Sequence, residues 1–149
     1  MNQLLKVVMA FGVVFGFSFH ARGVQPAVIV PPAQAKVMSE FKGVKLGMKR
    51  EAVKAAMGTP ESSSDASDDF KLKGDDTMTV HYDNGEVRAI QLAFLDSKNA
   101  PAWNDVVGDA PVSEVSSGKT ARKTMEAEKY WVTIYQNKEG TVTRITISR

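Results

Sequence analysis

The amino-acid sequence predicts an α+β fold of two repeats, each a short helix plus a three-stranded antiparallel sheet, with the helices packed on one sheet face. Three observations lead to that expectation. A helical stretch closed by glycine and then proline occurs twice, with Gly108 standing fifty positions after Gly58. A run of alternating polar and apolar residues follows each stretch, at residues 77–82 and 130–135. The returning runs share a phase step, Val87 then Ile90 and Leu92 in the first, Val142 then Ile145 and Ile147 in the second, which predicts a bulge at the same place in both.

Taken in order, residues 1–23 have the form of a signal peptide. Lys6 is the basic start, residues 7–19 are thirteen mainly apolar residues, and Ala21 and Gly23 have the spacing a signal peptidase needs, which places cleavage after Gly23. The apolar run is shorter than the about twenty residues of an ordinary membrane span. Residues 24–40 form a Pro/Ala-rich tether, since Pro26, Pro31 and Pro32 remove helix geometry and backbone donors. The first repeat covers 41–97. Residues 49–57 put Val53, Ala56 and Met57 on one helical face, Gly58 supplies a left-handed cap, and Pro60 stops the helix. Residues 61–69, rich in serine and aspartate, have the composition of a solvated loop, and a strand opens at Phe70. Asp83-Asn84-Gly85 then closes a hairpin between 77–82 and 87–95.

The second repeat, 98–149, follows the same grammar. Trp103 sits at a core position of its helix, a strand lies within 119–125, and a four-residue turn, Asn137-Lys138-Glu139-Gly140, joins 130–135 to the last strand. One unit of about fifty residues hides too little surface to offset its chain entropy, so the two are expected to share a sheet or to pack side by side.

Charge narrows the function classes. The chain carries nineteen basic and seventeen acidic residues, but Lys6 and Arg22 lie in the signal segment, so seventeen of each remain after cleavage. A domain balanced in this way has no basic field for nucleic acid. There is no cysteine among the 149 residues, so no disulfide staples the exported domain and its stability must come from core packing.

The segment Gly43-Val44-Lys45-Leu46-Gly47-Met48, the helix ending Met57-Gly58-Thr59-Pro60, and the hairpin closed by Asp83-Asn84-Gly85 together resemble the SmpA/OmlA (BamE-like) domain. The resemblance spans residues 41–149 and implies short helices on a three-stranded antiparallel sheet in the bacterial envelope. The tandem duplication resembles the architecture of the beta-lactamase inhibitor protein, whose two helix-plus-sheet halves bind an enzyme with the sheet surface. The matching residues Gly47, Gly58, Pro60 and Gly85 are turn-formers and bring no functional role with them. BamE-type proteins are lipid-anchored through a cysteine, which this chain lacks.

Catalytic chemistry finds few participants. After the signal segment there is one histidine, His81, in mid-strand, and no GxSxG elbow accompanies it. No cluster has the spacing of a zinc site, no glycine-rich turn cradles a phosphate, and Asp65, Asp68, Asp69, Asp75 and Asp76 lack the glycine and terminal glutamate of a calcium loop. The expectation is therefore no enzyme, no metal and no cofactor. A hydrolase using carboxylates of residues 61–76 would need them to converge in a pocket.

What is left is surface. With Met78, Val80 and Tyr82 turned to the helices, Thr77, Thr79 and His81 face outward; aligning Val132 with Val80 puts Trp131, Thr133 and Tyr135 on the same open face. A one-residue shift, pairing Tyr82 with Tyr135, would reverse that assignment. The candidate binding residues are accordingly Trp131, Thr133, Tyr135 and His81. They suit an exported, periplasmic or secreted, non-catalytic module that contacts a protein or cell-envelope component through its sheet face. The alternative is an envelope structural or assembly protein held at the membrane by an uncleaved signal, which is the one case in which a membrane is a partner.

Overall fold

The alternating runs become strands, and all the long ones pair into a single sheet. The computed structural model describes residues 36–149. They contain β1 (Glu40–Phe41), β2 (Val44–Lys45), α1 (Arg50–Met57), β3 (Ser62–Ser63), β4 (Ser67–Lys71), β5 (Thr77–Asp83) and β6 (Glu86–Phe94). A 3-10 turn at Ser97–Asn99 leads to α2 (Trp103–Val107), β7 (Ser113–Val115), β8 (Gly118–Met125), β9 (Tyr130–Asn137) and β10 (Thr143–Ser148). β1 and β2 form a small antiparallel pair; the other eight strands make one sheet in the order β3-β4-β5-β6-β10-β9-β8-β7. Every pairing in it is antiparallel.

This corrects the expected α+β architecture of two helix-plus-three-strand repeats. The described chain is mainly β, its two α-helices are only eight and five residues long, and the sheet is continuous. The seam is the pairing of β6 with β10, six residues from Thr143↔Phe94 to Ser148↔Ala89. Both strands are apolar on one side, and left unpaired each would expose a full row of backbone donors and acceptors. Joining them hides both edges and merges the apolar faces.

The expected matching bulges are corrected as well. The pairing of β5 with β6 shifts register between His81 and Tyr82, which places Arg88 as the extra residue between Val87 and Ala89. β10 pairs with β6 and with β9 without any shift. Its inward series is Thr143, Ile145 and Ile147, all buried, whereas Val142 precedes the strand. A buried threonine, bonded through its hydroxyl to that of Ser97 at 2.9 Å, takes the place that hydropathy assigned to Val142.

Inward positions build one core. Met78, Val80, Ile90, Leu92, Ile134, Ile145 and Ile147 are buried together with Val53 of α1 and with Val106 and Val107 of α2. Burying an aliphatic side chain of this size contributes about 1.5–3 kcal/mol, which is enough to hold helices too short to persist alone. Gly58 ends α1 at φ 87° and ψ −157°, a region open essentially to glycine only, in place of the expected left-handed cap. In the β5–β6 turn Asn84 and Gly85 both take positive φ, as a two-residue hairpin with matching twist requires.

The signal segment 1–23 and most of the tether 24–40 lie outside the described residues. Residues assigned to the end of the tether belong to the fold: Val37 is buried, the Met38 N–H donates to the Val106 carbonyl at 3.0 Å, and Glu40 starts β1. Among the described residues no helix is long and apolar enough to cross a membrane.

Candidate functional site

The alternation along each strand divides the sheet into two faces. On β9, Tyr130, Val132 and Ile134 are buried on the core side, while Trp131, Thr133 and Tyr135 point the other way and stay partly exposed. Thr77, Thr79 and His81 of β5 share that outer face, opposite the buried Met78, Val80 and Tyr82. No outward position on β5, β6, β9 or β10 is buried. The register pairing Tyr82 with Tyr135 is ruled out, since Tyr82 is on the core side.

Cross-strand rows define the outer face. One row runs Thr77, Ala93, Arg144, Tyr135 and Thr120; the next runs Asp69, Thr79, Gln91, Thr146, Thr133 and Arg122; the third runs Ser67, His81, Ala89, Ser148, Trp131 and Thr124. Trp131, Thr133 and Tyr135 thus form a column on one strand. His81 shares the row of Trp131 but is three strands away, about 14 Å at ordinary strand spacing. The structure therefore assembles the first three and leaves His81 apart, its Nε2 buried without a hydrogen-bond partner.

Arginines omitted from the candidate set complete the column. The Arg122 guanidinium stacks over the Trp131 ring, 4.5 Å from its centroid, which fixes the indole on the face. Arg144, exposed, lies directly beside Tyr135. Their orientation was available in the strand phase, because Ile145 and Ile147 inward imply Arg144 outward. Tyr135 also has a structural duty: its hydroxyl donates to the Ser117 carbonyl at 2.8 Å and ties β9 to the β7–β8 turn. Trp103 sits at the start of α2, packed against the core under Lys119, as expected of a core aromatic.

The serine- and aspartate-rich stretch is not the solvated loop its composition predicts. Asp68 is fully buried. Arg50, the first residue of α1, grips it with two charge-assisted bonds, Nε to Oδ2 at 3.0 Å and Nη2 to Oδ1, and Nη2 also donates to the Ser64 carbonyl at 2.7 Å. The hydroxyls of Ser63 and Tyr82 donate to the same carboxylate, the latter at 3.0 Å. Burial pushes the Asp68 carboxyl up, but the bonds from Arg50, Ser63 and Tyr82 outweigh it and hold the group down to about 2. Burial, then the bond to Asp68, raises the Tyr82 hydroxyl. Asp76 is likewise buried, accepting from the Leu95 N–H at 2.7 Å and the Asn99 side chain at 2.9 Å. Asp68 and Asp76 are thus each committed to holding local structure.

Among the described residues no three His, Cys, Asp or Glu side chains are grouped to hold a metal ion. Comparison with family models, with curated proteins and with solved structures finds no match for this chain.

Proposed function

We propose that this protein is an exported, non-catalytic binding module that contacts a protein or cell-envelope component through the outer face of its eight-stranded sheet. One observation carries the reading: the column Trp131, Thr133 and Tyr135 stands on a broad face whose outward positions remain accessible, backed by a fully packed core on the other side. A rigid sheet that holds large aromatics in fixed rotamers loses little entropy on association, and such residues dominate the energetics of protein interfaces. Export follows from the basic start, apolar run and small-residue spacing of residues 1–23.

The test is site-specific photocrosslinking in cells, with the photoreactive residue placed at Thr133 on the outer face or at Glu51 on exposed α1. The expected outcome is one discrete adduct from Thr133 and none from Glu51. Equal labelling from both positions, or no adduct from Thr133, would remove the sheet face as the functional surface.

A further inference from the structure

The outer face has an asymmetric charge that the balanced composition conceals. Within the three cross-strand rows, β6, β8, β9 and β10 contribute two guanidinium groups, Arg122 and Arg144, and no carboxylate. Glu86, at the start of β6 and outside those rows, is paired with Lys49 at 2.9 Å and Arg149 at 3.4 Å. Farther out, Asp69 of β4 is occupied by the Thr79 hydroxyl at 2.6 Å and the Ser62 hydroxyl at 3.2 Å. Arg144 borders a shallow depression of about 240 Å³ whose other polar lining is the hydroxyls of Thr77, Thr79 and Thr146 and the amide of Gln91. The hydroxyls of Thr77 and Thr146 and the Gln91 amide can each donate a hydrogen bond, the Thr79 proton being committed to Asp69, and the guanidinium supplies the counter-charge a carboxylate needs. Arg122 lies two strands across and two residues along from the row of Arg144, about 12 Å away by strand and residue spacing, with the Trp131 ring beneath it.

Building on the proposed function, we infer that the sheet face takes an acidic protein surface, with one carboxylate in the Arg144 depression, a second at Arg122, and an apolar or aromatic group against Trp131 and Tyr135. Charge complementarity selects this occupant. A second copy of this chain would bring Arg122 and Arg144 against their own equivalents, and like charges facing each other across an interface are costly. A basic partner meets the same repulsion.

Binding of the full-length protein to fluorescent copolymers of glutamate with tyrosine, of glutamate alone and of lysine with tyrosine, and to heparin, tests the inference by anisotropy. The expected order places the glutamate–tyrosine copolymer first, with affinity falling as salt is raised. Arg144→Glu and Arg122→Glu are each expected to weaken it at least about tenfold, Arg144→Gln less, and Lys54→Glu on α1, which changes net charge equally, not at all. Circular dichroism melts establish that each variant is folded. Binding of the lysine–tyrosine copolymer instead, lost in Trp131→Ala, would overturn the acidic partner while leaving a binding face in place. Heparin bound as tightly as the glutamate–tyrosine copolymer would reduce the face to a general anion site and overturn the inference. Equal losses in Lys54→Glu, or no glutamate copolymer bound, would overturn it too. Photocrosslinking from Thr133 decides separately whether the face binds anything at all.

Discussion

Asp68 has neighbours that make it the most consequential polar residue in the chain. Its carboxylate joins the start of α1 to β3 and β5, so one buried charge on β4 organises three other elements, through Arg50 eighteen residues away, Tyr82 fourteen residues away and Ser63 five residues away. Because its folded value is about 2, against about 3.9 in an unfolded chain, its stabilising contribution is complete above pH 4 and is lost as pH falls toward 2. Asp68→Asn is expected to lower stability at pH 7 by roughly 2–4 kcal/mol and to flatten the acid limb between about pH 4 and 2. Urea unfolding of both proteins across that range measures it. An unchanged acid limb would mean that other carboxylates control acid unfolding. None of this was legible locally: Ser-Asp-Ala-Ser-Asp-Asp has the composition of a loop, and only a distant arginine and tyrosine make its burial tolerable.

Elements were more readable than their partners. Helix α1, the β5–β6 hairpin and β9 lie where periodicity and turn residues put them, because hairpin turns and alternation are local properties. β3 and β7, two and three residues long, were not expected; such short edge strands present few unpaired groups and protect the sheet from further pairing. At the base of β8, Gly118 admits close approach of the neighbouring strand: a Cβ there would stand 2.0 Å from the Gln136 carbonyl oxygen and 2.9 Å from the Asn137 Cα, both backbone atoms of β9. Gly118→Ala is expected to force β8 and β9 apart and to cost about 1–3 kcal/mol. Hydrogen exchange should accelerate in β7 and β8 while the β5–β6 hairpin keeps its protection. Uniform acceleration throughout the sheet would show instead that the strain is not local.

At the scale of the whole molecule, the β6–β10 seam makes the described fold one cooperative unit, because the apolar faces on either side of it are parts of the same core. Thermal unfolding should give a single calorimetric transition whose van't Hoff and calorimetric enthalpies agree. Two resolved transitions would mean that the sheet parts at the seam. The sequence by itself determined that side chains alternate along β5 and β9 and where the hairpin turns fall, while the pairings of the structure chose between the two alignments and put Trp131, Thr133 and Tyr135 on the outer face with Thr77, Thr79 and His81. Side-chain alternation is dictated by the backbone of each strand alone. Only the tertiary structure decided that the strands form one sheet, that Thr143 replaces Val142 in the core, that Asp68 is a buried clamp, and that Arg122 and Arg144 join the aromatic column with no carboxylate among them. Strand order and charge neighbourhood arise from pairings between distant segments, and those pairings are selected by the free energy of the complete core.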